Sequence, residues 1–241
     1  MLGSTARIGL VVPANNTVIE PELYGIGLDG VSFHFARAIG SRAGMSSVEG
    51  LKTIVDEAER AIEALAIAGV DIVVYACLST SLFNDDWESR FVERVRSVAG
   101  VPSFTAFEAM LAEIRRHEPR SLALLDPYGP AIHERLEPAL RERGLTSIAG
   151  SHSMNLPGLQ QVCRTPPDMI VDAVRELVTV TVRDADTVAI FATDLQTMEV
   201  LPRMNAEFAR PVISTNQAII SEVAARLSLA LPPLGPPMRT A

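Results

Sequence analysis

A cysteine at the end of an apolar run is the residue best placed to do chemistry in this chain. Cys77 follows the run 73–76 and precedes a small polar loop that contains Ser79 and Thr80. A thiol in such a place becomes a nucleophile when backbone N–H groups of the following turn hold its thiolate, and the same groups can bind a substrate carboxylate. Position alone leaves a second interpretation open, in which Cys77 is a small hydrophobic residue that completes a buried strand.

Polar side chains occur at several other places where an apolar run ends. We predict that they orient a small polar ligand beside Cys77, and the residues concerned are Pro13, Asn16, Ser79, Thr80, Tyr128, Thr193 and Asp194. A structural interpretation has similar weight for some of them. Asn16 and Asp194 are also typical of an Asx turn or a helix N-cap, and Tyr128 could simply pack over the sheet.

The sequence does not favour other kinds of site. Cys163 stands just before a segment with Pro167 in its first helical turn, and nothing beside it would activate a thiol, so we predict a structural role. The histidines and cysteines show no metal-ligand spacing, and neither a Walker-type loop nor a G-x-G-x-x-G motif follows the first strand. We therefore expect a site that uses no metal and no cofactor.

Composition restricts the class of protein. The chain has 241 residues, 48% of them hydrophobic, and a net charge of −8. This size supports one large α/β domain or two smaller lobes. An acidic chain without a basic cluster is unsuited to nucleic acid or an anionic membrane surface. No apolar stretch approaches the roughly 18 residues of a membrane span, and two cysteines without a signal-peptide pattern predict a reducing, cytoplasmic location.

Short β-branched runs alternate with stretches of helical period, which is typical of βαβ units and an α/β fold with parallel strands. The predicted strands span residues 7–12, 31–36, 71–76, 102–105, 121–126, 187–192 and 211–215. The predicted helices span about residues 46–69, 85–98, 107–116, 131–143, 167–178 and 217–227. Ser46 and Glu49 stand at capping-box spacing at the start of the first helix. The Pro-rich tail, residues 231–241, is predicted to lack regular structure.

The two halves of the chain show weak internal similarity. Segment 8–13 aligns with 122–127, and segment 73–77 aligns with 188–192 at nearly the same offset. We therefore predict two lobes with parallel sheets. The first lobe comprises residues 1–105 and a helix at 216–230, and the second comprises 106–215. Because ligands of open parallel sheets bind at the carboxyl ends of the strands, the loops of both lobes should face a common cleft.

Five segments in order carry a family resemblance: 12–22 (VPANNTVIEPE), 75–80 (YACLST), 126–128 (DPY), 193–197 (TDLQT) and 211–218 (PVISTNQA). Together they resemble the maleate cis-trans isomerase family of the aspartate/glutamate racemase superfamily, whose nearest functional relatives are the arylmalonate decarboxylases. The likeness extends from about residue 7 to residue 228.

The resemblance implies two Rossmann-like lobes related by a pseudo-twofold axis, with a cofactor-free site between them that holds a small carboxylate. Cys77 matches the cysteine that is proposed to attack the alkene carbon, and Asn16 and Tyr128 match substrate-binding residues. Family analogy also suggests a homo-oligomer. The second cysteine of the pattern falls on Ala192, so one of the two thiols is missing. Two-base racemisation, which needs a group on each face of the substrate, is thereby disfavoured.

The resemblance, together with the loss of the second cysteine at Ala192, leaves three possible functions. The favoured one is cofactor-independent cis–trans isomerisation of a small maleate-like dicarboxylate, in which Cys77 adds to the alkene. The alternative is an arylmalonate-type decarboxylase, or a single-thiol racemase or tautomerase, in which Cys77 donates a proton. A second alternative is a carboxylate-binding protein whose catalysis is impaired by the missing thiol.

Overall fold

Parallel strands, many of them formed by apolar runs of the sequence, make up the centre of the protein. The computed structural model describes residues 1–39, 48–83 and 86–232. Its strands, in chain order, are β1 (Ala6–Pro13), β2 (Val31–Ala38), β3 (Ile72–Tyr75), β4 (Ser103–Thr105), β5 (Leu122–Asp126), β6 (Ile148–Ser153), β7 (Thr187–Ile190) and β8 (Val212–Ser214). They form two parallel four-stranded sheets, in the orders β2-β1-β3-β4 and β6-β5-β7-β8.

Helices fill the connections between the strands. They are α1 (Ile19–Gly25), α2 (Val48–Ala68), α3 (Trp87–Val98), α4 (Ala106–His117), α5 (Pro130–Glu142), α6 (Leu159–Val162), α7 (Pro167–Glu176), α8 (Leu201–Phe208) and α9 (Thr215–Leu227). The strands β3, β5 and β7 are buried along their whole length, which explains why their sequences are continuous apolar runs rather than alternating ones. No helix in these described parts of the chain is long and apolar enough to cross a membrane.

The two sheets have the same strand order, shifted by four strands, as a pseudo-twofold relation requires. The helices α4 and α9 repeat each other in detail. Each begins with a capping box, formed by Thr105 with Glu108 and by Ser214 with Gln217. The two helices pack against each other, and Gln217 Nε2 donates to Glu113 Oε1 at 2.9 Å. The prediction of an α/β fold with two related parallel-sheet lobes is confirmed.

The predicted elements were incomplete in the second sheet. Strand β6 was missed because its sequence, Ile-Ala-Gly-Ser-His-Ser, has no apolar run, as an edge strand with one covered face allows. The short helices α1 and α8 were also missed, and the helix predicted to end at 178 ends at Glu176 and continues as a π-turn. The predicted helix starts at 46 and 85, and residues 233–241 of the tail, lie outside the described residues.

Candidate active site

The loops that follow the central strands of both sheets meet in one small cleft. Its lining residues come from the ends of β1, β3, β5 and β7, and they are Pro13, Asn15, Asn16, Cys77, Leu78, Ser79, Tyr128, Thr193 and Asp194. We call this space the Cys77 cleft. It contains every predicted site residue except Thr80, which contacts the cysteine from behind. Strand ends at a common edge are the usual ligand site of open parallel sheets.

The thiol of Cys77 is held by hydroxyl groups. Strand β3 ends at Tyr75, and a short 3-10 helix, Ser79–Leu82, begins just after the cysteine. Thr80 Oγ1 donates to Cys77 Sγ at 3.2 Å, and Ser79 Oγ lies 3.7 Å from the same sulfur. Tyr75 OH lies 3.0 Å from Thr80 Oγ1. Because Thr80 gives its hydroxyl hydrogen to the sulfur, Tyr75 donates in turn to Thr80, and a buried chain of donors ends at the thiol.

Burial nevertheless keeps Cys77 protonated at rest. The residue is only 4% exposed, and this burial raises the pKa of its thiol above the usual range. The hydroxyls of Thr80 and Ser79 and the backbone amide of Thr80 act in the opposite direction, and the nearby carboxyl of Asp194 raises the pKa further. The hydrogen bonds of the following turn therefore favour a thiolate but do not outweigh burial.

Asn16 and Thr193 join the two lobes across the cleft. Asn16 Nδ2 donates to the carbonyl and to Oγ1 of Thr193, at 3.1 Å each, and Thr193 Oγ1 donates to the carbonyl of Ala76 at 3.2 Å. Asn16 Oδ1 also accepts from the backbone amides of residues 18 and 19 at the start of α1. These contacts fit the Asx-turn interpretation of Asn16, whereas the N-cap of α1 is Val18. The side-chain amide of Asn16 is fully used within the protein. Its predicted role in substrate binding stays a prediction.

Asp194 and Tyr128 bring two further polar groups to the cleft. Asp194 is 6% exposed, and its Oδ1 is buried without a hydrogen-bond partner. This burial raises the pKa of the carboxyl to about 6. Burial, followed by the charge of Asp194, raises the pKa of Tyr128 well above its usual value, so the phenol stays neutral. Asp126 fixes the Tyr128 loop by accepting from the Tyr128 amide at 2.9 Å and pairing with His133 at 2.6 Å.

The sequence did not predict a group of hydrogen bonds that involves Glu22 and Asn216, which we call the bracket. Glu22 on α1 accepts from Asn216 Nδ2 at 2.7 Å and from the backbone amide of Met198 at 2.9 Å. Asn216, at the start of α9, also donates to the carbonyl of Thr193 at 3.1 Å. The bracket therefore fixes the loop that carries Thr193 and Asp194. Both Glu22 and Asn216 lie in segments that carry the family resemblance, but nothing in those segments indicates that the two residues meet.

Cys163 lies beside the cleft without lining it. Its Sγ donates to the backbone carbonyl of Asn15 at 3.4 Å, and burial raises the pKa of the thiol. These contacts agree with the predicted structural role. Within residues 1–39, 48–83 and 86–232, no group of three His, Cys, Asp or Glu side chains is arranged to hold a metal ion.

The Cys77 cleft is nearly closed. About 20 Å³ is open to the centres of water-sized molecules, which is room for one water. A larger groove of about 560 Å³ lies between α1 and the loop after β7, where it is lined by the carboxyls of Glu22 and Glu199 but by no thiol. We therefore place the candidate site in the smaller cleft, which contains the thiol.

The protein therefore has two related parallel-sheet lobes, and a thiol is buried between the strand ends of the two lobes. This is the architecture that the resemblance to the aspartate/glutamate racemase superfamily implies. Comparison with known families identifies the family within it. The model described as arylmalonate decarboxylase matches residues 8–235, and the chain belongs to this family. The resemblance to maleate isomerases and arylmalonate decarboxylases is thereby confirmed, and with it the prediction that the chain is an enzyme of this kind.

Relatives of this chain include maleate isomerases and the arylmalonate decarboxylase of Bordetella bronchiseptica, to which it is 25% identical with 89% of this chain and 88% of the relative covered. The chain is 24% identical to the maleate isomerase of Geobacillus stearothermophilus, with 92% of each chain covered. It is 26% identical to that of Nocardia farcinica, covering 88% of this chain and 86% of the relative. A solved structure of the Nocardia farcinica maleate cis-trans isomerase, a Cys→Ser mutant with a covalently bound succinylcysteine intermediate, has a TM-score of 0.85 at 23% identity, covering 95% of this chain and 96% of that one.

Proposed function

We propose that this protein is a cofactor-independent cis–trans isomerase of a small cis-unsaturated dicarboxylate such as maleate, and that Cys77 is its nucleophile. One observation carries the proposal. The sulfur of Cys77 ends a chain of hydroxyl donors in a narrow cleft between the two lobes, where Thr80 and Ser79 can stabilise a thiolate.

The reaction follows from nucleophilic addition. The thiol of Cys77 gives its proton to a base in the cleft as the sulfur attacks one alkene carbon. A C–S bond forms, and the π electron pair moves to the neighbouring carbon, where the adjacent carboxylate delocalises it. The former double bond is now single and can rotate. The electron pair then reforms the double bond in the trans arrangement as the C–S bond breaks and its electrons return to sulfur. Tyr128, as a neutral phenol, and the loop amides near Ser79 are placed to hold the substrate carboxylates.

The relatives support this chemistry. Proteins named maleate isomerase match nearly the whole chain, and the succinylcysteine described for the Nocardia farcinica enzyme is the adduct expected when a cysteine adds to maleate. We extend that role to Cys77 because it is the thiol that lines the cleft. The predicted substrate-binding roles of Pro13, Asn16, Ser79, Thr80, Tyr128, Thr193 and Asp194 are part of the same proposal.

Decarboxylation of an arylmalonate is the second candidate. The name of the matched family favours it, and a decarboxylase needs a single proton donor for its enolate, which Cys77 could supply with the second thiol replaced by Ala192. A racemase with one thiol is a variant of this candidate.

Proton NMR in deuterated buffer tests these candidates together. The purified protein is incubated with maleate, maleamate and phenylmalonate in parallel, with Cys77→Ala as the variant and Cys163→Ala as the matched control. We expect fumarate-type product from the wild type and from the Cys163→Ala control, and none from Cys77→Ala. A deuterated arylacetate would replace the proposal by decarboxylation. Binding of a carboxylate without turnover, equally by wild type and Cys77→Ala, would replace it by a binding function.

A further inference from the structure

The carboxyl of Asp194 accepts a hydrogen bond from its own backbone amide, but one of its oxygens is left without a partner in the described part of the chain. It follows β7, lines the Cys77 cleft and is 6% exposed. Its Oδ1 is buried and accepts no hydrogen bond, although an unsatisfied buried polar atom is costly. Such a group is expected at a site where a ligand or a proton completes it.

Asp194 also occupies the place in the fold where a partner for Cys77 is needed. Cys77 lies two residues after the end of β3, and Ala192 lies two residues after the end of β7, the corresponding strand of the other sheet. The position that corresponds to Cys77 therefore carries a methyl group, which can neither accept nor donate a proton. The next ionisable side chain along this loop is Asp194.

Burial and nearby charges give Cys77 and Asp194 different pKa values, so that one group holds a proton where the other can accept one. Three titratable groups feel the charge of Asp194, namely the thiol of Cys77 after β3, the phenol of Tyr128 after β5 and the thiol of Cys163 after α6. Burial raises the pKa of the Asp194 carboxyl to about 6, whereas burial raises the pKa of Cys77 above its ordinary value of 9.0. Near neutral pH, the cleft thus contains a protonated thiol and a carboxylate that can act as a base.

The shared cleft allows a proton relay between the two groups. They line the same cleft but make no direct hydrogen bond with each other among the described contacts, and the space of about 20 Å³ between the lining residues admits one water. A proton can therefore pass from the thiol to the carboxylate through one water or, with substrate bound, through the substrate.

We propose that Asp194 is the acid–base partner of Cys77 and replaces the missing second thiol. It takes the proton of the thiol as the C–S bond forms, and it then delivers this proton to the neighbouring carbon, which gives a succinyl thioether. In the second half of the reaction it removes a proton from that carbon, the C–S bond breaks with its electrons returning to sulfur, and the proton returns to sulfur. Protonated Asp194 is neutral, so it does not repel the substrate carboxylates during addition.

This proposal rests on the proposed isomerase function, and Asp194→Asn tests it because the amide keeps the shape and removes the proton exchange. Asp184→Asn, an exposed residue at the other end of β7, is the matched control. Maleate turnover is measured from pH 5 to 9. We expect the wild-type and control rates to rise with pH near pH 6, and the rate of Asp194→Asn to fall by roughly 100-fold and to lose this limb. A rate within threefold of wild type, with the limb kept, would overturn the proposal.

Deuterium incorporation reports the carbon protonation separately. In deuterated buffer the wild-type fumarate should carry solvent deuterium at a vinylic carbon, because the proton that Asp194 delivers has exchanged with solvent. Product of Asp194→Asn that carries as much deuterium per turnover as wild-type product would exclude Asp194 as the carbon acid.

A measurement on the resting protein separates failure of this proposal from failure of the proposed function. Alkylation of Cys77 by iodoacetamide, followed by peptide mass mapping, needs no turnover. We expect Asp194→Asn to be alkylated several-fold faster than wild type at pH 8, because removal of the adjacent negative charge lowers the pKa of the thiol. Equal alkylation rates would overturn the pairing of the two groups. Faster alkylation without turnover of any substrate would keep the pairing and reject the isomerase function.

Discussion

The half-buried carboxyl of Glu22 should make the free energy of unfolding depend on pH, and Glu22→Gln should remove this contribution. Burial raises its pKa from 4.5 to about 7, and hydrogen bonds from Asn216 and from the amides of Met198 and Thr197 offset only part of this effect. The folded protein therefore binds a proton at Glu22 more tightly than the unfolded chain does. Between pH 4.5 and pH 7 the folded state holds more protons, so the contribution of Glu22 to stability falls as pH rises.

The size of the effect follows from the shift. A rise of the pKa from 4.5 to about 7, at 1.36 kcal/mol per pKa unit, corresponds to about 3 kcal/mol between pH 4.5 and pH 8. The neutral variant Glu22→Gln does not ionise. We expect its free energy of unfolding, relative to that of wild type, to increase by about this amount over the same pH range.

Urea unfolding at pH 4.5 and pH 8 measures this difference. Changes in hydrogen bonding caused by Glu22→Gln are present at both pH values and cancel, as do the titrations of all other groups. Glu142→Gln, at an exposed position at the end of α5, serves as the control and should show no such change. If the free-energy difference between Glu22→Gln and wild type were the same at both pH values, the assignment of a raised pKa to Glu22 would be refuted.

Two further predictions concern the hydrogen bonds of the cleft. Thr193→Val removes the hydroxyl that accepts from Asn16 Nδ2 and donates to the carbonyl of Ala76. It should lower the free energy of unfolding by about 1–3 kcal/mol, because buried partners are left unsatisfied. A loss below about 0.5 kcal/mol, which is the scale of surface substitutions, would contradict the bridging role. Thr80→Val removes a donor that lowers the pKa of Cys77, so alkylation of Cys77 at pH 8 should become slower than in wild type. A faster reaction would show that Thr80 shields the sulfur rather than stabilising its thiolate.

The sequence predicted the fold where the strands are apolar and buried on both faces. Strands β3, β5 and β7 meet this condition, and each coincides with a predicted strand to within about two residues. The edge strand β6 does not, because small and polar residues carry no strand signal of their own there. The boundaries of the two lobes at residues 105 and 215, with a helix from the end of the chain returned to the first lobe, stay a prediction.

The candidate site was predictable to the extent that it depends on strand ends. Cys77 follows a buried strand of the first sheet, and Tyr128 and Asp194 follow buried strands of the second, so parallel topology brings each of them to the carboxyl edge of its own sheet. The contacts between them depend on how the two sheets face each other, which no local pattern contains. For this reason the bridge from Asn16 to Thr193 and the bracket around Glu22 became visible only in the structure.

The central claim is that Cys77 adds covalently to the unsaturated substrate, and labelling with acetylenedicarboxylate tests it most directly. This probe resembles maleate, but addition of a thiol to it leaves a stable vinyl thioether instead of a reversible adduct. Peptide mapping then gives the fraction of Cys77 and of Cys163 that is modified, and maleate turnover is measured on the same samples. We expect one label per chain on Cys77, protection by maleate, and loss of turnover in proportion to the label. Full maleate turnover by protein whose Cys77 is completely labelled would contradict the account.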